Sequence, residues 1–215
     1  RGLGDVYKRQ SSDYTIPNTT ADDAGLYRCE ISTSSCGTYH SSEVTLTVNA
    51  PTTIAQHPVA TRAACEGSAV SFSVAATGAG LTYQWYRNGD NLIAGATNAT
   101  LNLNNLTAAD AGNYHCRVSG TCGAENSTAG VLTVDIAPVI SKHPVGGTYC
   151  EGEDVELSVL TSAGSNLTYE WFRGVNSVGT GQILSIPSFA AADVGEYYVT
   201  ISNVNCPPVT SNSTN

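Results

Sequence analysis

Asp110-Ala111-Gly112-Asn113-Tyr114 is the middle of three D-x-G-x-Y segments; the others are Asp23-Ala24-Gly25-Leu26-Tyr27 and Asp193-Val194-Gly195-Glu196-Tyr197, at spacings of 87 and 83 residues. Upstream of the second and third copies the sequence repeats again. Gln84-Trp85-Tyr86-Arg87 matches Glu170-Trp171-Phe172-Arg173, Cys65-Glu66-Gly67 matches Cys150-Glu151-Gly152, and His57-Pro58 matches His143-Pro144. A period near 85 residues is too long for a solenoid unit and suits a compact domain with its own core.

Within the middle repeat apolar residues recur at every second position. Val70, Phe72 and Val74 alternate with Ser71 and Ser73; Leu81, Tyr83 and Trp85 with Thr82 and Gln84; Tyr114, Cys116 and Val118 with His115 and Arg117. Each run therefore has one buried and one wet face. Thr77-Gly78-Ala79-Gly80, Asn88-Gly89-Asp90 and Gly120-Thr121-Cys122-Gly123 separate the runs with turn formers. Short alternating strands at this spacing predict an all-β fold built of sandwiches.

Composition sets outer limits. The 215 residues carry nine Lys and Arg against 18 Asp and Glu, a net charge of −9, with 41% hydrophobic residues, seven Cys and no Met. Phosphate binding needs clustered cations, so a nucleic-acid partner is excluded. No stretch approaches the roughly 20 apolar residues that span a bilayer. A chain without Met, even at position 1, reads as a fragment or a processed piece.

A Trp on the third strand, followed by D-x-G-x-Y where the sixth begins, resembles the immunoglobulin-like fold, whose tyrosine corner the Tyr would form. The resemblance implies that Tyr27, Tyr114 and Tyr197 fill the sandwich end with their hydroxyls on nearby backbone, and that Trp85 and Trp171 lie in the cores. Asp23, Asp110 and Asp193 would hold the turn. Gly25, Gly112 and Gly195 would supply a conformation that a Cβ disfavours.

The cysteines depart from that pattern. The usual bridge joins the second and sixth strands behind the Trp, but the second-strand positions are Val74 and Val159, and the sixth-strand positions are Cys29, Cys116 and Val199. The third repeat contains just Cys150 and Cys206, equivalent to Cys65 and Cys122. The expected pairs are therefore Cys65 with Cys122 and Cys150 with Cys206. Each would close a loop of about 56 residues, which the chain-entropy model values at roughly 4 kcal/mol. Cys29 and Cys116 are expected as buried thiols and Cys36 as an orphan. Two disulfides imply an oxidising compartment.

The C-E-G starts and the A-D-x-G-x-Y corners of the middle and third units resemble the Ig-like repeats of very large secreted or surface-attached bacterial proteins. That resemblance implies a spacer or adhesive segment. The expected architecture is one complete and two truncated sandwiches: the C-terminal half of a unit over 11–49, a whole unit over 50–135, and a unit over 136–215 that lacks its last strand and leaves an edge open. Asn49-Ala50-Pro51 and Asp135-Ile136-Ala137-Pro138 form short, Pro-stiffened links that favour an extended rod. Residues 1–10 hold three of the nine basic residues and read as a non-native leader.

No catalytic signature is present: H-E-x-x-H, G-x-S-x-G and G-x-x-x-x-G-K are all missing. His57 and His143 share a repeat position, which favours a structural role. Glu151, Glu153, Asp154 and Glu156 form the densest acidic cluster, without a calcium-loop pattern, and strand alternation separates Glu153 from Asp154 and Glu156. No metal or cofactor is expected. Six N-x-S/T triplets begin at Asn18, Asn98, Asn105, Asn126, Asn166 and Asn212, as a chain rich in Asn, Ser and Thr produces by chance.

The outward face of the third and sixth strands is the candidate binding surface. In the middle unit it would show Gln84, Tyr86, His115 and Arg117; in the third, Glu170, Phe172, Tyr198 and Thr200. Exposed aromatics there could stack on a sugar or anchor a protein. The function expected is a non-catalytic segment at the cell surface or outside the cell, serving as spacer and adhesion module, with an unidentified protein or glycan ligand and the neighbouring repeats as partners. The alternative is a binding accessory of a secreted hydrolase. A eukaryotic receptor ectodomain ranks behind both, since Val74 and Val159 forbid the usual bridge.

Overall fold

The computed structural model describes residues 12–214 and is built of strands and short turns. The expected leader over 1–10 lies outside the described residues. The first unit contributes β1 (Gly25–Tyr27), β2 (Glu30–Thr33), β3 (Gly37–His40) and β4 (Val44–Leu46). β1 pairs with β4 and β2 with β3, both antiparallel.

The middle unit contains β5 (Thr53–Gln56), β6 (Thr61–Cys65), β7 (Val70–Ser73), β8 (Ala75–Thr77), β9 (Thr82–Arg87), β10 (Asn91–Leu92), β11 (Thr100–Leu103), β12 (Gly112–Gly120), β13 (Gly123–Asn126) and β14 (Gly130–Asp135). One sheet runs β10-β9-β12-β14-β6, with β13 on the far half of β12; the other layer comprises the pairs β5-β8 and β7-β11. β6 and β14 are parallel, the remaining pairs antiparallel. The inward positions of the period-two runs meet between the layers: Phe72, Val74, Trp85, Leu101, Leu106, Tyr114, Cys116, Val118 and Leu132 are all buried. Each large apolar side chain so buried contributes about 1.5–3 kcal/mol.

The third unit repeats the plan with β15 (Val139–Lys142), β16 (Val155–Ser158), β17 (Leu160–Ala163), β18 (Thr168–Arg173), β19 (Asn176–Thr180), β20 (Ile183–Ile186), β21 (Tyr197–Ser202) and β22 (Val209–Thr210). The sheet order is β19-β18-β21-β22, and the second layer is β15-β17 and β16-β20. Its core holds Val155, Leu157, Val159, Trp171, Leu184, Tyr197, Val199 and Ile201. Thr214 forms a bridge with Tyr197, where Gly130 pairs with Tyr114 in the middle unit.

The buried pair that replaces the usual bridge is Val74 with Cys116 in one core and Val159 with Val199 in the other. Burial pushes the Cys116 thiol up, so it stays protonated. Cys29, expected to be buried, is exposed. Among the described residues no second layer covers the strands of the first unit, all of which carry exposed side chains.

The disulfide pairing differs from expectation. Cys65 is bonded to Cys206, with Cα atoms 4.9 Å apart and a sequence separation of 141, while Cys122 and Cys150 are free thiols. The physical reason is that the expected partners sit at opposite ends of a sandwich. Cys65 is level with Asp135 on β14, beyond the Leu132–Gly112 pair, whereas Cys122 follows the other end of β12 at Gly120. The strand between spans about 26 Å, and a disulfide needs Cα atoms within roughly 7 Å. In the third unit Cys150 lies near the Phe189 loop, through the Gly152 N–H to Phe189 carbonyl bond, and Cys206 lies beyond the far end of β21.

The bond crosses the joint between the two units, where Asp135 gathers the polar contacts. Its carboxylate accepts from Ser165 Oγ at 3.0 Å and Asn205 Nδ2 at 2.6 Å, and its carbonyl accepts from the Glu66 N–H. Asn203 Nδ2 donates to the carbonyls of Ile136 and Ser165, and Asn203 Oδ1 accepts from the Cys206 N–H.

Candidate binding face and the corners that hold it

Three corners fix the sixth strands. Tyr27, Tyr114 and Tyr197 donate their hydroxyls to the carbonyls of Asp23, Asp110 and Asp193 at 2.6, 2.7 and 2.6 Å. Desolvation raises the Tyr114 phenol above its ordinary range, keeping the donor proton in place. Asp23 Oδ2 accepts from the N–H and Oγ1 of Thr20, and Asp110 Oδ2 likewise from Thr107. In the third unit Ala190 leaves just its N–H to donate to Asp193. The bonds from Thr107 hold the Asp110 carboxyl below the usual range, with a further pull from Arg87.

Two of the corner glycines work differently from expectation: Gly25 and Gly195 do not adopt positive φ, whereas Gly112, at φ 156°, holds a conformation that side chains with a Cβ rarely adopt. Gly112 supplies room: a Cβ there would come within 2.5 Å of Asn88 Oδ1, which accepts the Asn113 N–H. A Cβ at Gly195 would meet Arg173 Cδ and Cγ at 3.2 Å; one at Gly25 would meet nothing within 4 Å.

The tryptophans anchor the third strands. Trp85 and Trp171 are fully buried, with Nε1 donating to the carbonyls of Asn98 at 2.9 Å and Gly181 at 2.8 Å. With the indoles pointing inward, the pleat turns Gln84 and Tyr86, and Glu170 and Phe172, to the other face. Register then sets Tyr86 opposite His115, Gln84 opposite Arg117, Phe172 opposite Tyr198 and Glu170 opposite Thr200.

The result is one aromatic pair per unit. Tyr86 stacks on His115 with ring centroids 5.3 Å apart and planes at 13°, and Phe172 stacks on Tyr198 at 5.2 Å and 13°. All four rings are half-buried on the sheet face. Asp90, Arg117 and Asn126 border a shallow depression beside the Tyr86–His115 pair. Gln84 contributes less than its position suggests, because its amide donates to the carbonyls of Trp85 and Ile93.

Several partners were not read from the sequence. Arg87 and Arg173, beside the aromatic positions, reach back to the corners: Arg87 Nη2 donates to the carbonyls of Ala109 and Ala111, and Arg173 Nη1 to the Ala192 carbonyl and the Asp193 carboxylate. Their recurrence at the end of each Trp-aromatic-Arg run was the available signal. His57 and His143 accept the N–H groups of Thr128 and Asn212 at Nδ1, 3.1 and 3.0 Å away. In the acidic cluster Glu153 accepts the Cys150 N–H and closes a local turn, while Asp154 accepts the N–H of Ser188, 34 positions along the chain, and ties two loops together.

Residues 51–120 match the family model described as "Immunoglobulin domain". The fold is immunoglobulin-like. Against solved structures the chain resembles the titin I-band fragment I67–I69 with a TM-score of 0.65 and 21% identity, over 91% of this chain and 75% of that one. It also resembles extracellular domains 3–5 of Drosophila OTK, with a TM-score of 0.59 and 22% identity, over 91% of this chain and 71% of that one. In sequence it is similar to neuroglian of Drosophila melanogaster, 26% identical over 197 residues; the match covers 85% of this chain and 15% of neuroglian. This relative and OTK are animal proteins, where the C-E-G and A-D-x-G-x-Y patterns had pointed to bacterial repeats.

Proposed function

We propose that this chain is a non-catalytic segment of a secreted or surface-attached protein, in which tandem Ig-like units form an extended spacer and present the outward sheet face to a protein ligand. The observation that carries the binding part is the recurrence of one stacked aromatic pair, Tyr86–His115 and Phe172–Tyr198, at the same two register positions in successive units. Core packing does not require it, since these side chains lie on the face away from the indoles. Stacked rings leave a flat, preorganised apolar patch with polar edges, the composition that anchors protein interfaces.

The spacer part is supported by the short links, the Pro residues that open each new unit, and the covalent joint. The extracellular setting is supported by that disulfide, which an oxidising compartment maintains. The resemblance to OTK extracellular domains runs the same way. The bacterial setting rests on the sequence patterns alone.

The test compares the chain with Tyr86→Ala/His115→Ala and Phe172→Ala/Tyr198→Ala variants in two assays: aggregation of chain-coated beads, and a glycan array. Bead aggregation that both variants lose, at unchanged melting temperature, supports a protein-binding face. Binding only on the glycan array redirects the face to carbohydrate. Aggregation that survives both double substitutions removes this face from the proposal.

A further inference from the structure

Three of the five cysteines that the Cys65–Cys206 bond leaves over, Cys36, Cys122 and Cys150, are arranged as halves of the same device. Cys65 and Cys150 occupy one repeat position, each opening a C-E-G segment, and Cys36, Cys122 and Cys206 occupy another, in or beside the hairpin that follows the sixth strand. Cys206 Sγ lies 3.5 Å from the carbonyl oxygen of Asp135, the last residue of β14 and the start of the link. One repeat earlier, Cys122 Sγ lies 3.5 Å from the carbonyl oxygen of Asn49, at the start of the preceding link. The hairpin thiol is thus seated against the end of the previous unit at both joints. At the second joint the bonding partner is the residue in parallel register with Asp135, which is Cys65. Pairing within a unit is closed off, because the two positions are at opposite ends of a sandwich.

We infer that the protein is a disulfide-stapled array, in which the C-E-G cysteine of each unit bonds to the hairpin cysteine of the next. Cys65–Cys206 is one staple. Cys122 is presented to the C-E-G cysteine of a unit before it, and Cys150 to the hairpin cysteine of a unit after it. Each staple forms when two thiols give up two protons and two electrons to a low-molecular-weight disulfide such as oxidised glutathione, which leaves as two thiols. Cys116 stands outside the scheme, buried beside Trp85 and held protonated. The inference rests on the tandem-spacer part of the proposed function and is independent of the sheet face.

The experiment extends the chain by its own repeat. Residues 1–214 are followed by a second copy of 131–214 that carries Cys150→Ser, so that Cys150 occurs once and Thr214, which bridges Tyr197 as Gly130 pairs with Tyr114, continues into the strand and link that lead to a further unit. After oxidation in a glutathione buffer and alkylation of free thiols, peptides are mapped without reduction. The expected result is Cys65 bonded to the first copy of Cys206 and Cys150 bonded to the added copy of Cys206, with Cys122 alkylated. Cys65 bonded to Cys122, Cys150 bonded to the first Cys206, or Cys150 found alkylated would each overturn the staple rule. The bead assay on the same oxidised and reduced chains separates this outcome from the ligand question, since the sheet-face substitutions leave every cysteine in place.

Discussion

Arg87 lies across Tyr114, its guanidinium carbon 5.9 Å from the centre of the phenol ring, while its Nη2 donates to the carbonyls of Ala109 and Ala111 in the turn below. One side chain from the third strand thus clasps the corner that starts the sixth. In the third unit Arg173 makes the matching reach to Ala192 and Asp193.

Replacing Arg87 by Met keeps much of the alkyl stem and removes the clasp. The loss of hydrogen bonds to two carbonyls and of a partly desolvated cation–π contact predicts a destabilisation of about 1–3 kcal/mol. Arg87→Lys should recover only part of this, because an ammonium cannot present the planar fork. Equilibrium urea unfolding of the three proteins checks the order; equal stability of Arg87→Lys and the parent would count against the fork.

Tyr114→Phe isolates the corner hydroxyl. The ring stays packed on Phe72, at 5.3 Å between centroids, and the bond to Asp110 is lost. The expected cost is about 1 kcal/mol, and Tyr197→Phe should cost a similar amount in its own unit. A pair of melting curves for each variant suffices to compare them.

Asp110 ties this corner to pH. Its carboxyl is held below the ordinary range by the N–H and hydroxyl of Thr107, so the folded state prefers it ionised. A depressed folded pKa gives stability that is fully present above the unfolded value, near 3.9, and is lost as pH falls through the lower folded value. Asp110→Asn should be less stable than the parent at pH 7 and converge with it in strong acid. Parallel acid limbs in the two proteins, followed by urea midpoints from pH 7 to pH 2, would contradict this linkage.

Cys116→Val should be close to neutral, within about 1 kcal/mol, because Val199 fills the same place against Val159 in the third core. In the parent protein the Cys116 thiol should resist Ellman's reagent until the unit unfolds, whereas Cys122 and Cys150 should react at once. A fast Cys116 reaction under native conditions would show that the core opens locally.

Period-two alternation and the D-x-G-x-Y corners made the sandwiches legible, since Trp85, Tyr114 and their neighbours announce burial at every second residue. The cysteine pairing was not legible in the same way. In a tandem array Cys65 and Cys150 share one repeat position and Cys122 and Cys206 another. Counting positions therefore cannot distinguish a bond within a unit from a bond to the next one. Only the third dimension separates them, by putting the two positions at opposite ends of β12. Cys29 misled for a related reason, because inward alternation buries a side chain only where a facing layer covers it. The stacked pairs were readable as outward aromatics, but the diversion of the Gln84 amide to Ile93 depends on how β9 and the residues after β10 approach one another.

The bond between Cys65 and Cys206 also sets what happens when the two termini are pulled apart. Tension entering from the N-terminal side passes along β6 to Cys65, crosses the sulfur bridge to Cys206, and leaves toward Thr214, so the residues between them carry none of it. At 3.3–3.6 Å per residue, the 141-residue loop withholds about 470–510 Å of contour length from stretching. Both tryptophan cores and both stacked aromatic pairs lie inside that sheltered loop. A tether built this way would keep its sheet faces folded under loads that strip away the flanking strands, and a reductant would turn the same tether into one that yields.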